Sequence, residues 1–315
     1  MRAVRKAGLE SIHALARRDE RVLFFGSDIG AGTLEGFRTE FPGRFFMEGV
    51  SEANIVGVMS GLAMNGWIPY LNTLAVFLTR RCYEQTLLDA AMHRLPVRLC
   101  GSGGGVVYAP LGPTHLAFED LALMRAIPGM TILAPCDAEE MRRLMAQTLD
   151  WEGPIYIRFG KGGDPIVSDA TLPCHIGRGV LMRGGADALL VTTGITAQIA
   201  LAAHALLARD GIAAAVLHLH TVAPLDTALL LEAAAGVRTV ITVEEHNLTG
   251  GLGSAVAEVL AEANLPHPPR FRRIALADGF HPEYGSQATL LRRNGVTPEA
   301  VVNTVRTFLA TKEIC

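Results

Sequence analysis

The chain has 315 residues, of which 50% are apolar and 19% charged, and its formal net charge is −3. This length and balance indicate two α/β domains of ordinary size and exclude a disordered or fibrous chain. The small net charge and the dispersed basic residues argue against nucleic-acid binding, so chemistry on a small molecule is expected.

Cysteine usage and the N-terminal segment predict a cytoplasmic protein. The five cysteines form no Cys-x-x-Cys pair, which argues against a disulfide framework or a zinc site; they are Cys82, Cys100, Cys136, Cys174 and Cys315. The first residues lack the apolar run of a signal peptide, and no stretch approaches the ~20 apolar residues of a membrane span. We therefore expect no membrane association and no metal ligands from this chain.

Helices and strands alternate through the first half of the chain. Helical spacing over 2–17 precedes a short strand at 22–25, and a second strand at 45–47 leads to a helix ending near Gly66. Glu52 therefore lies at a strand-to-helix junction. The alternation continues with strands at 67–71, 96–100, 130–134 and 154–158, and with helices at 77–92, 118–125 and from 138 onward.

A turn-rich stretch then separates two halves of similar pattern. We predict a first domain over 1–165, a linker over 166–182 and a smaller second domain over 183–315. In the second half, strands at 188–194, 213–219, 239–245 and 270–276 alternate with helices at 197–208, 225–235, after 253 and at 297–309. The predicted fold class is therefore α/β with two doubly wound domains, each built on a parallel sheet.

Four segments depart from this packing pattern: GSDIG at 26–30, GVSEAN at 49–54, GPTH at 112–115 and EEHNLTGGLGS at 244–254. In doubly wound sheets such loops lie at the carboxyl ends of the strands, where ligands bind. Each segment alone also has a plain structural interpretation. Glu52 suits a helix N-terminus, Asp28 suits a cap, and His115 suits a packed or surface position. The glycines after 249 suit close backbone approach, and the standard nucleotide-binding loops are absent from the sequence.

The ordered combination of motifs resembles the transketolase family. Residues 49–85 and 111–140 resemble the pyrimidine-binding domain of transketolases, and residues 244–262 resemble the start of their C-terminal domain. The resemblance covers nearly the whole chain. It implies a pyrimidine-binding, thiamine-diphosphate-type domain followed by a smaller transketolase C-terminal-type domain.

The resemblance also implies a role for each candidate residue toward thiamine diphosphate. Glu52 would hydrogen-bond the aminopyrimidine and favour the tautomer that takes a proton from the thiazolium carbon. Phe77 would stack on the pyrimidine, and Leu74 would replace a second family aromatic with a smaller apolar wall. Asp28 would reach the cofactor region. His115 would face the substrate as a hydrogen-bond donor or proton shuttle.

Substrate recognition is where the sequence departs from the family pattern. Arg5 matches a phosphate-binding arginine of the family, and Lys161 keeps positive charge where the family has arginine, so both are candidate substrate-binding residues. Gly103 stands where a histidine is usual, and 109–111 replace a Gly-Glu-Asp triplet. We therefore expect a substrate other than the ordinary pentose phosphates.

The family's metal-binding motif is also missing. Transketolase-like enzymes hold the diphosphate and Mg²⁺ through a Gly-Asp-Gly motif, but this chain has only Gly-Asp-Pro at 163–165. The resemblance thus implies a second subunit that carries the Gly-Asp-Gly (GDG) domain and holds Mg²⁺. An α2β2 heterotetramer is the simplest symmetric assembly.

The leading functional hypothesis is the small subunit of a thiamine diphosphate-dependent transketolase-like enzyme. It would transfer a two-carbon ketol or acyl unit from a ketose or 2-oxo acid donor. Two alternatives stay open: the beta subunit of a 2-oxo acid dehydrogenase-type decarboxylase, and a catalytically silent regulatory subunit. The wording of the segments around Phe77 and His115 favours transketolase, and the retention of Glu52 argues against a silent subunit.

Overall fold

The computed structural model describes residues 3–27, 31–160 and 163–310. Strands in this part of the chain form two sheets. Their bounds are β1 (Val22–Gly26), β2 (Phe45–Met47), β3 (Ile68–Leu74), β4 (Arg98–Ser102), β5 (Thr131–Leu133), β6 (Ile155–Phe159), β7 (Val180–Arg183), β8 (Ala188–Thr192), β9 (Ala214–His218), β10 (Thr221–Ala223), β11 (Thr239–Asn247) and β12 (Arg270–Leu276).

Helices cover both sheets. Their bounds are α1 (Val4–Arg18), α2 (Glu35–Glu40), α3 (Glu52–Met64), α4 (Ala75–Arg81), α5 (Tyr83–Gln85), α6 (Asp120–Arg125), α7 (Ala138–Met145), α8 (Thr196–Arg209), α9 (Thr227–Ala234), α10 (Leu252–Glu262), α11 (Gln287–Arg293) and α12 (Pro298–Ala310). None of the described helices combines the length and the apolar character that a membrane span requires.

The first sheet has the order β10-β5-β6-β4-β3-β1-β2, and all its strands are parallel except β10, which runs antiparallel to β5. Successive side chains of a strand point to opposite faces. Phe24 thus packs with Leu9 of α1 and Leu144 of α7, whereas Phe25 packs with Met59 of α3 on the other face. Helices on both faces of a mostly parallel sheet confirm the predicted doubly wound fold.

The second sheet has the order β12-β11-β8-β9-β7, and only β7 runs antiparallel to its neighbour. The elements β7, β10 and α11 were not predicted from the sequence. β7 is a partly exposed edge strand, and β10 has three residues, too few for a period-2 pattern to be recognised. Although β10 comes from the second half of the chain, it pairs with β5 and so extends the first sheet.

One predicted helix has a different form in the structure. We predicted a continuous helix over 77–92, but α4 begins at Ala75 directly after β3 and ends at Arg81. After Cys82 the chain continues through α5 into a turn of π-helix at Thr86–Ala91. The N-cap position is occupied by Leu74, whose side chain cannot accept a capping hydrogen bond, so the boundary between strand and helix carries no capping signal at that position.

Candidate functional site

The carboxyl end of the first sheet brings together the elements that carry the candidate residues. β3 ends at Leu74 and continues into α4, while β4 ends at Ser102 and continues into the glycine-rich loop. The first turn of α1 lies near this same edge, because Arg5 contacts Tyr108 of the loop that follows β4. Ligands of doubly wound sheets bind at such an edge.

Glu52 is buried at the first position of α3, with 1% of its surface exposed. Arg81 at the end of α4 donates from Nη1 to Glu52 Oε2 over 2.5 Å. The same guanidinium lies over the ring of Phe77, with Cζ 4.5 Å from the ring centroid. A helix-dipole role alone does not explain the burial and the ion pair, because helix-terminal acids are effective while solvent-exposed.

His115 also belongs to this group of side chains, because it contacts Phe77. It lies in the short 3-10 turn Pro113–His115, and its ring contacts the edge of Phe77 with centroids 5.4 Å apart. Its Nδ1 is 2.9 Å from Thr114 Oγ1. Leu74 is buried in a small apolar cluster against which Phe77 packs. The structure therefore brings Glu52, Leu74, Phe77 and His115 into one contiguous region.

Of the three remaining candidate residues, the structure describes Arg5. Arg5 is half-buried, and its Nη1 lies 3.4 Å from the hydroxyl of Tyr108. Asp28 and Lys161 lie outside the described residues.

Large side chains, rather than open space, surround the glycine-rich loop after β4. An ideal Cβ at Gly103 would overlap the ring of Tyr108, and one at Gly105 would lie 2.5 Å from the carboxyl carbon of Glu245. Both glycines have positive φ angles, +79° and +70°, which side-chain-bearing residues adopt only with strain. The glycines therefore permit close packing by Tyr108 and Glu245.

Glu245 of the second domain forms hydrogen bonds that connect the glycine-rich loop to that domain. Its Oε1 accepts a hydrogen bond from the Val106 N–H at 2.8 Å, and Gln287 donates to both of its oxygens at 2.9 Å. Burial raises the pKa of Glu245 to about 7, although nearby Arg158 opposes this rise. A carboxyl group that titrates near neutrality thus lies behind the candidate site.

The rest of the EEHNLTGGLGS segment is also used within the chain. Glu244 accepts hydrogen bonds from the N–H groups of Leu252 and Gly253 at 2.7 and 2.8 Å, and so caps α10. Arg125 of the first domain donates to the carbonyl of Gly250 at 2.6 Å. These contacts give the glycines a packing role, which is the plain structural interpretation that the sequence allowed.

Potential metal ligands also cluster between the two sheets. The buried groups Cys136, Glu140 and His218 lie within 4.8 Å of one another, and Glu140 forms a second such set with Cys174 and His220. Glu140 Oε2 already accepts from the Cys136 N–H at 2.7 Å and lies 2.9 Å from His218 Nε2. Burial alone would raise the pKa of Glu140, but His218 and His220 lower it to about 2. Sequence reasoning missed this cluster because its members are far apart along the chain.

Sequence reasoning also missed three residues of the candidate site: Arg81, Tyr108 and Glu245. Arg81 was hidden inside a predicted continuous helix. The glycines at 101–105 were the available signal for Tyr108 and Glu245, because a run of glycines often marks close approach by other groups.

Known protein families match both halves of the chain. The transketolase pyrimidine-binding domain matches residues 1–163, and the transketolase C-terminal domain matches residues 177–301. Among solved structures, one described as "split gene transketolase, inactive beta4 tetramer" superposes with a TM-score of 0.90 and 35% identity, covering 99% of both chains.

Two curated relatives are similar over most of their length. The 6-deoxy-6-sulfo-D-fructose transketolase subunit SqwH of Clostridium sp. (strain MSTE9) is 37% identical, covering 91% of this chain and 88% of the relative. One subunit of the apulose-4-phosphate transketolase of Phocaeicola vulgatus is 32% identical, covering 98% of both chains. The chain belongs to the transketolase family, as the subunit of a split transketolase that carries the pyrimidine-binding and C-terminal domains.

Proposed function

We propose that this chain binds the pyrimidine end of thiamine diphosphate and is active only with a second subunit that holds the diphosphate and Mg²⁺. The observation that carries this proposal is the contiguous row of Glu52, Arg81, Phe77 and His115 at the carboxyl end of the first sheet. It combines a buried carboxylate, a flat apolar ring and an imidazole, the groups that an aminopyrimidine and a carbonyl substrate require.

The chemistry of these side chains fits the cofactor. Arg81 engages Oε2 of Glu52, and Oε1 has no hydrogen-bond partner among the described residues, so it is available to a ring nitrogen. Phe77 is half-buried and contributes ring surface for stacking. When bound, thiamine diphosphate supplies a carbon that becomes nucleophilic once deprotonated. Glu52 would hold a proton at the ring nitrogen during that step, and Leu74 would exclude water from the apolar wall.

His115 would act on the substrate. Its ring is half-buried beside Phe77, so part of it remains accessible to a ligand. An imidazole there can donate a hydrogen bond to a carbonyl oxygen as negative charge develops on it. Arg5, with Lys161, would supply positive charge for an anionic part of the substrate. Asp28 would complete the cofactor site.

The substrate is a modified ketose rather than an ordinary pentose phosphate. Gly103 and 109–111 support this, because the residues that the family normally places there are absent. The two relatives carry the names of two different sugars, a sulfofructose and apulose 4-phosphate. Robust turnover of xylulose 5-phosphate with ribose 5-phosphate by the assembled enzyme would contradict this part of the proposal.

The partner is a subunit with a GDG-type domain, assembled as an α2β2 heterotetramer. The similar solved structure is described as an inactive tetramer of beta chains, which supports dependence on a second chain. A cytoplasmic location is part of the proposal as well. The four described cysteines are buried and unpaired, as expected in a reducing compartment.

Calorimetric titration tests the shared site. Thiamine diphosphate with Mg²⁺ is titrated into this chain alone, into a candidate partner alone and into the mixture. The proposal predicts binding of the complete cofactor in the mixture and none to this chain alone. The absence of binding in every titration would favour a catalytically silent subunit.

A further inference from the structure

Arg81 makes the two contacts that the proposed function assigns to the pyrimidine. Its Nη1 donates to Glu52 Oε2 over 2.5 Å, and its Cζ lies 4.5 Å from the centroid of the Phe77 ring. Phe77 also packs against the apolar cluster of Leu74 and Ala75, so Arg81 covers a ring face that this cluster leaves free. A pyrimidine stacked on that face beside Glu52 would need the volume that the guanidinium fills.

The guanidinium of Arg81 also resembles a protonated aminopyrimidine chemically. Both groups are planar and delocalised, and both present N–H donors in the plane of the group to a carboxylate. Glu52 is buried with 1% of its surface exposed, and a buried carboxylate without a partner is costly. Arg81 therefore satisfies Glu52 and covers Phe77 in the subunit alone, and it holds both at the positions that the pyrimidine requires.

Arg81 is held loosely enough to be displaced. Its side chain is 44% exposed, and Glu52 is its only hydrogen-bond acceptor among the described residues. Arg158, by contrast, is 8% exposed and donates to both oxygens of Asp120 and to the carbonyl of Glu245. Exposed side chains change rotamer within nanoseconds, so Arg81 can move into solvent without a movement of α4.

We propose that Arg81 makes an autoinhibitory contact, in which it occupies the pyrimidine position of the free subunit and must leave when partner and cofactor complete the site. The inference rests on the proposed function, because it assumes that the pyrimidine binds between Glu52 and Phe77. Displacement of Arg81 lowers the apparent affinity for the cofactor by the fraction of subunits in which the site is accessible. Contacts of the partner with the diphosphate end offset that loss.

Affinity measurements with the partner subunit test this displacement. Calorimetry gives the association constant of the partner for this chain and that of thiamine diphosphate with Mg²⁺ for the complex, because Arg81 can be displaced at either step. We expect the product of the two constants to rise about tenfold in Arg81→Gln, which has no ion pair to break. Arg81→Lys keeps a cation near Glu52 but has no planar group to cover Phe77, so its rise should be smaller.

Arg17→Gln is the matched control, because Arg17 is also a partly exposed arginine paired with a carboxylate, that of Glu40, but lies in the last turn of α1. It should leave both constants unchanged. An unchanged or lower product in Arg81→Gln would overturn the inference alone. A crystal structure of the loaded complex in which Arg81 still covers Phe77 would also overturn it. Failure of the wild-type complex to bind the cofactor would refute the proposed function and this inference with it.

Discussion

Arg81 Nη1 lies 2.5 Å from Oε2 of Glu52, and the same guanidinium covers the ring of Phe77. The carboxylate is buried, whereas the Arg81 side chain is 44% exposed. The partly exposed Arg81 side chain thus contacts both Glu52 and Phe77, the two residues that we expect to contact the pyrimidine. The Arg81–Glu52 ion pair should therefore stabilise the free subunit in addition to orienting the candidate site.

Removal of Arg81 should destabilise the subunit. Arg81→Gln leaves the buried Glu52 carboxylate without its cation, and the expected loss in free energy of unfolding is about 1–3 kcal/mol. The exposure of Arg81 keeps this below the cost for a fully buried pair. Urea denaturation of the single variants and of Arg81→Gln combined with Glu52→Gln gives the coupling energy, and the double variant should regain stability.

Arg94→Gln is the control for that cycle, because Arg94 and Glu152 form an exposed pair. Its effect should be below about 0.5 kcal/mol. Additive losses in the Arg81 and Glu52 variants, with no coupling between them, would show that the ion pair contributes nothing to stability.

Glu245 should make stability fall as the pH rises toward neutrality. Burial raises its pKa from the ordinary 4.5 to about 7, so between these values the folded protein holds a proton that the unfolded chain has lost. The contribution of Glu245 to the free energy of unfolding should therefore decrease by up to about 3 kcal/mol as the pH rises from 4.5 to 7. Glu245→Gln removes this contribution.

His220 opposes that trend in the same pH range. Burial lowers its pKa from 6.5 to about 4, so its contribution to stability is lost as the pH falls. The two contributions oppose each other, so the difference between wild type and Glu245→Gln, rather than the wild-type profile alone, isolates the carboxyl group. Equal pH dependence of the two proteins would show that Glu245 does not titrate in this range.

The buried Glu140–His218 pair should be a structural link that needs no metal. Glu140→Gln removes the carboxylate partner of His218, and the loss of a buried hydrogen bond to a charged group costs about 1.5–3 kcal/mol. Thermal unfolding with and without EDTA separates this link from a metal site. We expect a lower Tm in the variant and no effect of EDTA on the wild type. A Tm that falls with EDTA, together with zinc in the purified protein, would contradict this interpretation.

The layer structure could be predicted from the sequence because parallel strands buried on both faces are continuous apolar runs. The family resemblance located Glu52, Phe77 and His115 at the ends of those elements, and the structure places them together. β10 could not be predicted, because its partner β5 is about ninety residues away and its three residues carry no pattern.

The side chains that contact the candidate residues from elsewhere in the chain could not be predicted from the sequence. Arg81 acts through a contact with Glu52, twenty-nine positions away, and Glu245 reaches Val106 from the other domain. Such contacts depend on tertiary packing, which local periodicity does not encode. The glycine-rich loop indicated close packing, but it did not indicate which side chains would approach it.

Cofactor activation tests the central claim most directly. Hydrogen–deuterium exchange at the thiazolium carbon is measured in the complex of this subunit with its GDG-type partner, for wild type and for Glu52→Gln. The account predicts rapid exchange in the wild-type complex and a loss of at least about 100-fold in Glu52→Gln, because the amide cannot hold the proton at the pyrimidine nitrogen. Cofactor binding by the variant is the control. Exchange at the wild-type rate in a Glu52→Gln complex that binds the cofactor would contradict the account.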